Sequence, residues 1–587
     1  MSVKGGAWLF EEPAADGIFT PERLTDEHRL MARTAEEFVA AEVLPQIDRL
    51  EAKDWALARA LLKRCADIGL LGANAPEEYG GLDLDKVSSV VIVERMARSA
   101  SFATTFGGQA NLSILPLVLF GTEAQKQHYL PRIVSGDIVG AYALSESSSG
   151  SDALAAKTRA VKRADGNWVL NGEKMWISNG GFADLIIVFA QVDGEHFTAF
   201  LVEKTFPGVS AGQEEHKMGL HGSSTTPIIF QDAVVPADNV LGEIGKGHKV
   251  ALNTLNYGRL SLGASCTGGS RAAIGDAAKY AAQRRQFGRP IASFGAIRHK
   301  LGEMIARTYA AESLVYRTAG LFDAALAAGD KSGAAIAAAF EEFAVEASIA
   351  KVVGSEVLDF VLDENVQIHG GNGYVKDYAA ERYYRDARVN RIFEGTNEIN
   401  RLLIPGMLVR RALKGTLPLV SAARQLQDEL MSASSAPPGP SDAPLDEEMR
   451  LVASFKKVAL MVLGTAMQTY GAKLTDEQEV LSFAADVLID VYASESAVLR
   501  ARQACRAEAP EERQQMHTAA ARVFVNDAAQ RVDVSARNAF AAMADGDTLR
   551  TLLSALRRVL KSAPVNTVVL RRQLADAATA GGRYILG

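Results

Sequence analysis

The 587-residue chain is expected to be mostly α-helical around a central β domain, with an extra α-helical domain at its C-terminal end, and three observations predict this. Apolar residues recur at three- and four-residue intervals on both sides of a middle stretch. The middle stretch instead carries short β-branched and aromatic runs broken by turn residues. A Ser/Pro/Gly-rich segment at 432–441 then separates the main body from a further run of amphipathic helical pattern.

Residues 1–140 read as an N-terminal helical domain, because Leu57, Leu61, Cys65 and Ile68 repeat at helical spacing. Residues 141–250 read as the β domain: Trp168-Val169-Leu170 precedes the Asn171-Gly172 turn pair, and apolar runs follow at 185–190, 197–202 and 228–230. From 251 to 410, alanine-rich stretches without proline, such as 270–285 and 333–353, predict a helical bundle. Residues 411–445, with Pro437-Pro438-Gly439-Pro440, read as a linker, and 446–587 as the additional helical domain, with amphipathic windows at 451–465, 480–502 and 548–561.

A formal charge of −7 without long basic runs argues against a nucleic-acid partner. Three widely spaced cysteines give neither a disulfide framework nor a zinc cluster, and the nine histidines show no metal-ligand spacing, so no metal is expected. The N-terminus has no basic region followed by an apolar core, and the longest apolar runs, such as 458–464, are too short to cross a bilayer. A soluble, cytoplasmic protein is expected. The segment 407–427 carries Arg410, Arg411, Lys414 and Arg424 among leucines; four spread charges on an anionic surface give at most a few kcal/mol, roughly one each, so membrane contact is expected to be weak and peripheral.

The most informative motif is Arg391-Ile392-Phe393-Glu394-Gly395-Thr396-Asn397-Glu398. Glu394 sits between an apolar pair and a Gly-Thr turn; an apolar flank raises a carboxyl pKa and glycine admits a ligand to the backbone, as a general base acting on a weak carbon acid requires. Taken alone, the same residues fit a helix start with Thr396 as N-cap and Glu394 in solvent. His369, in Gln367-Ile368-His369-Gly370-Gly371-Asn372-Gly373-Tyr374, is read as structural.

Three further segments precede Glu394 in order: Tyr142-Ala143-Leu144-Ser145-Glu146-Ser147-Ser148-Ser149-Gly150-Ser151-Asp152, Lys174-Met175-Trp176-Ile177-Ser178-Asn179-Gly180-Gly181 and Arg284-Arg285-Gln286-Phe287-Gly288. Together these resemble the acyl-CoA dehydrogenase family of flavoproteins over residues 25–410. Ser148-Ser149-Gly150-Ser151-Asp152, Gly258-Arg259, Phe294-Gly295 and the long helical tail are most similar to the very-long-chain type.

The resemblance implies the acyl-CoA dehydrogenase fold, FAD as cofactor, a long-chain acyl-CoA substrate and electron-transfer flavoprotein as acceptor, in the first step of fatty acid β-oxidation. It implies that Glu394 takes the α-proton while a hydride leaves the β-carbon for the flavin, with the Glu394 amide and a flavin hydroxyl bonding the enolate oxygen. Some members carry the base immediately before the arginine matching Arg259, where this chain has Gly258. Tyr142, Leu144, Ser145, Ser151, Trp176 and Ser178 are implied flavin contacts, with Trp176 stacked beside the ring. Arg284, Phe287, Gln367, Gly370, Gly371, Thr396 and Glu398 match positions on the adenine half and pyrophosphate, some across a dimer interface. Ser151, Asn256, Arg259 and Gly395 are implied on the substrate side. Two departures stand out: the family's Pro-Gly-Ala-Gly-Ser-Asp run here reads Ser147-Ser148-Ser149-Gly150-Ser151-Asp152, and Glu398 replaces a common uncharged amide. An acyl-CoA oxidase, or an assembly factor or scaffold with residual dehydrogenase activity, are the alternatives. Acyl-pocket depth is expected to depend on 109–120, where Ile114, Leu115 and Leu117 are bulky. The added helical domain is expected to halt assembly at a homodimer by covering a face of the main body.

Overall fold

The computed structural model describes residues 4–587 apart from 13, 328, 433–443 and 507–509. The expected Pro437-Pro438-Gly439-Pro440 linker therefore lies outside the described residues.

Helices α1 (Asp26–Phe38), α2 (Ile47–Glu51), α3 (Trp55–Asp67), α4 (Lys86–Met96), α5 (Ala100–Ala110), α6 (Ile114–Phe120) and α7 (Glu123–Val134) form the first layer. Four of the seven start at side-chain caps. Thr25 and Thr122 close capping boxes on α1 and α7, and Asp54 and Asp85 cap α3 and α4.

Strands β1 (Gly140–Ala143), β2 (Arg159–Lys162), β3 (Trp168–Ser178), β4 (Leu185–Val192), β5 (His196–Glu203), β6 (Val209–Ala211), β7 (Thr225–Val235) and β8 (Val240–Leu241) follow. They make one sheet in the order β6-β7-β3-β2-β4-β5-β8, with β1 also parallel to β4. The apolar run of β4 is buried on both faces, whereas β3 alternates and carries a register shift between Lys174 and Ile177.

The bundle opens with α8 (Gly247–Gln283), four residues before the expected boundary at 251. A short hairpin of β9 (Arg285–Gln286) and β10 (Arg289–Pro290) leads into α9 (Gly295–Leu326), α10 (Gly333–Glu342), α11 (Ala344–His369), α12 (Ala380–Ala387) and α13 (Asn397–Leu413). Helices α8 and α11 are apolar nearly all round, as buried helices must be, and they cross through glycines. A Cβ on Gly263 would come within 2.9 Å of the Ala350 carbonyl oxygen.

The stretch 411–445 is not all linker. Helix α14 (Leu419–Met431) packs on α15 (Asp446–Tyr470), because Leu417, Leu419 and Leu426 are buried there. Helices α16 (Gln478–Arg506), α17 (Glu511–Met543), α18 (Gly546–Val559) and α19 (Thr567–Gly581) complete the extension, and α16, α17 and α19 lie on α9. The extension shares one continuous apolar core with the bundle and the N-terminal helices. This is the mostly α arrangement with a central β domain and an additional C-terminal helical region expected above.

Two expectations about membranes meet the packing differently. The segment Asp446–Asp476 is long and apolar enough to span a bilayer, with mean hydropathy 1.3 in its most apolar window, contrary to the reading from short runs. Its Val452, Phe455, Val458, Val462 and Leu463 are instead buried against neighbouring helices. Arg411 turns inward and donates to the carbonyls of Gly5 and Glu342 at 2.7 and 2.6 Å, which leaves Arg410, Lys414 and Arg424 at the surface.

Candidate active site

Glu394 stands on the turn into α13 with φ of 58°, followed by Gly395 at 80°. A left-handed glutamate costs of order 1–2 kcal/mol, so its neighbours must hold it. The Gly395 carbonyl accepts hydrogen bonds from Lys351 Nζ and Asn400 Nδ2, both at 2.8 Å. Thr396 caps α13 by accepting from the Ile399 amide at 3.2 Å, and Arg259 Nε donates to the Glu394 carbonyl at 3.3 Å. Thr396 thus caps the helix as its position suggests, while Glu394 is only partly exposed and keeps its Oε2 buried.

The carboxyl lies over α8 at Gly258, where an added Cβ would sit 2.7 Å from Glu394 Oε2. Burial pushes the Glu394 carboxyl up to about 7, against the opposing pull of the Arg259 and Lys351 charges. Its Oε2 is buried without a hydrogen-bond partner, as is the Tyr142 hydroxyl, which burial and the Glu394 charge push well above the ordinary phenol range. The apolar pair contributes through one member only: Ile392 is 53 % exposed, whereas Phe393 lines the cavity beside Glu394 and the surrounding helices complete the enclosure.

A cavity of about 150 Å³ runs from Glu394 and Gly258 between α8, α5, α11 and α12. Gly258, Ser261, Ser265, Gly269 and Ala272 line it from one face of α8, and Ala100, Ala103, Gly107 and Gly108 line it from α5. The early-helix lining therefore comes from 93–112, which shares Asn111 and Leu112 with the expected 109–120. Ile114, Leu115 and Leu117 are packed into the apolar core and do not reach the cavity.

Ser178 lines the same cavity. Trp176 is 57 % exposed with φ of 59°, set on the β3 irregularity, so it is not a core tryptophan. The loop carrying Leu144 and Ser145 is pinned to β3: Met175 N donates to the Ser145 carbonyl at 2.9 Å, and the fully buried Lys174 reaches the Leu144 carbonyl at 3.1 Å and Glu146 at 2.7 Å. Ser151 is exposed beyond that loop. Asn256 is buried and accepts from Arg259 at 3.0 Å. Glu398 is exposed in the first turn of α13, where its charge complements the helix N-terminus.

Arg284, Phe287, Gln367, Gly370 and Gly371 do not line this cavity; all five are exposed. They flank a stack of Tyr280 on His369 with ring centroids 4.1 Å apart, and His369 Nδ1 donates to the Asn365 carbonyl at 2.8 Å. Among the described residues no group of three or more His, Cys, Asp or Glu is placed to hold a metal ion.

Sequence reasoning missed Lys351 and Asn400. A lysine isolated in the apolar run Ile349-Ala350-Lys351-Val352-Val353 was the available signal, since such a cation must be buried with a task.

Family models for the N-terminal, middle and C-terminal domains of acyl-CoA dehydrogenases match residues 25–137, 141–233 and 245–407, and a second C-terminal-domain model matches 454–558. A probable acyl-CoA dehydrogenase of Bacillus subtilis is 47 % identical over 588 aligned residues, covering 99 % of this chain and 98 % of its own length. The crystal structure of an acyl-CoA dehydrogenase complexed with FAD from Bacillus anthracis superposes with a TM-score of 0.97 at 48 % identity, covering 100 % of both chains. Likeness to the very-long-chain type is only partial: the rat mitochondrial enzyme is 40 % identical over 354 residues, 58 % of this chain and 52 % of that one. With its three core domains and its extension all matched, this chain belongs to the acyl-CoA dehydrogenase family.

Proposed function

We propose that the chain dehydrogenates long-chain acyl-CoA thioesters to trans-2-enoyl-CoA, the first step of fatty acid β-oxidation, with FAD as cofactor and electron-transfer flavoprotein as acceptor. The observation that carries this reading is the unpartnered Glu394 carboxyl, raised to about 7 over a glycine at a cavity walled by small residues. A base of that strength is matched to neutral pH, and its open oxygen suits an incoming carbon-bound proton.

The residues present fit FAD. Trp176, presented to solvent on a strand irregularity, Ser178 in the cavity wall and the pinned Leu144–Ser145 loop would hold the ring, and the exposed Arg284 and Gly370-Gly371 suit its pyrophosphate. Bound FAD supplies the acceptor for the β-hydride. The protein's own work is to place the thioester α-carbon at Glu394, take its proton and, through the Glu394 amide, bond the enolate oxygen.

Long acyl chains are favoured because the lined face of α8 from Gly258 to Ala272 spans about 21 Å at 1.5 Å per residue. Exposed aromatic surface supports a homodimer: Phe287 is 93 % exposed and Tyr374 87 %, beside the Arg284 and Gly370 segments, and a second copy of the chain would cover them.

The test is anaerobic mixing of the purified flavoprotein with a ladder of saturated acyl-CoA lengths, followed by flavin absorbance. Bleaching that rises toward long chains, persists in air without peroxide release and is lost in Glu394→Gln at unchanged flavin content is expected. Peroxide release with turnover in air would assign an oxidase, and flavin binding without bleaching at any length would assign a scaffold.

A further inference from the structure

We propose that Lys351 on α11 is a positioning residue for the dehydrogenation: it clamps the Gly395 carbonyl from beneath and so fixes the left-handed turn that holds the Glu394 carboxyl over Gly258. The inference rests on the reading of Glu394 as the base.

Lys351 has no exposed surface. Burying an ammonium is costly, and proteins ordinarily offset it with a carboxylate. Among the described residues no carboxylate lies within ion-pair distance of Lys351. Its hydrogen bonds go instead to two neutral oxygens, Gly395 O at 2.8 Å and Asn397 Oδ1 at 2.7 Å. Both acceptors belong to the turn that follows Glu394. Asn397 Nδ2 also donates to Ser355 and Glu356 of α11 at 3.0 Å each, so the segment after Glu394 is tied to α11 through Lys351 and its neighbours. A lysine kept without an ion pair under a strained turn has its use in that turn.

The clamp also places a positive charge near the carboxyl. The charged or titratable groups facing Glu394 are Arg259 from α8, Lys351 from α11 and Tyr142 from β1. Those facing Lys351 are Cys266, Glu394, Arg259 and Glu356. Burial lowers the Lys351 ammonium to about 8, so it is charged at neutral pH and opposes the upward push on Glu394. Removing the charge leaves Glu394 harder to ionise.

The experiment compares Lys351→Met, Lys351→Arg and Asn400→Ala holoenzymes in the flavin-bleaching rate as a function of pH. Lys351→Met is expected to bleach at least tenfold more slowly, with its acidic limb moved to higher pH by about one unit. Lys351→Arg keeps the charge and is expected to keep the wild-type limb. Asn400→Ala removes the other donor to the same carbonyl and is expected to slow bleaching without moving the limb, which supplies a second reading if the methionine variant does not fold. Wild-type rate and limb in Lys351→Met, or a wild-type rate in Asn400→Ala, would overturn the clamp. Bleaching retained by Glu394→Gln would instead overturn the base assignment, so the two failures are distinguishable.

Discussion

Glu394 and Gly258 form a pair in which each explains the other. A helix interior ordinarily favours alanine over glycine by about 1 kcal/mol, yet a Cβ at 258 would meet the carboxylate at 2.7 Å. Gly258→Ala is therefore expected to leave thermal unfolding unchanged or slightly raised while flavin bleaching falls by at least tenfold; equal activity would show that the carboxyl has room to move aside. The same burial sets the pH dependence. In the proposed reaction Glu394 works as a carboxylate, and its value is raised to about 7, so the protonated, inactive form gains below that pH. The free-enzyme kcat/KM should fall about tenfold per pH unit below 7, and a profile flat down to pH 5 would refute the near-neutral base.

At the scale of elements, the extension is joined to the bundle by buried charge as well as apolar contact. Arg500 of α16 has no exposed surface and bonds Glu22 at 2.7 Å and Glu312 of α9 at 2.6 Å, while Arg317 of α9 meets Glu495 of α16 at 2.8 Å. Removing Arg500 leaves Glu22 without its arginine partner and Glu312 with Arg271 alone, at 2.9 Å. Arg500→Met is expected to cost roughly 3–5 kcal/mol, read as a lowered Tm. Burial pushes the Glu22 carboxyl up, but Arg500 outweighs it and holds the group at about 2 against an ordinary 4.5. A depressed carboxylate stabilises the fold above its unfolded value, so this contribution is complete above pH 4.5 and is lost as pH falls from there toward 2. Acid titration followed by tryptophan fluorescence checks it, since Trp8, one of four tryptophans, packs on Tyr492 of α16 with ring centroids 5.1 Å apart; an Arg500→Met protein with the wild-type acid midpoint would remove the pair from the account.

For the whole molecule, the extension covers α9, where Tyr309 meets His517 of α17 and Thr318 meets Tyr492 of α16, in a core continuous with its own helices. A face so covered is closed to a further subunit, whereas the Phe287 and Tyr374 surface stays open. Light scattering of the full-length protein is expected to give twice the 62.7 kDa chain, and a tetramer would refute the capping role. Cutting the chain after 431 uncovers the α9 face and should yield insoluble or higher-order material; a soluble, active dimer would show that the extension is dispensable.

The sequence by itself determined the order of textures, helical then strand-rich then helical, because periodicity and turn residues are local properties. It also singled out Glu394, through the order of its motifs along the chain. Tertiary structure decided what contacts alone decide: that Gly258 lies under Glu394, that Lys351 and Asn400 share one carbonyl, that the cavity is lined from 93–112, and that 411–445 contains a packed helix. The apolar flank accounts for only part of the burial, because Ile392 is exposed while Phe393 lines the cavity, and a carboxylate's solvation also depends on which distant helices close over it.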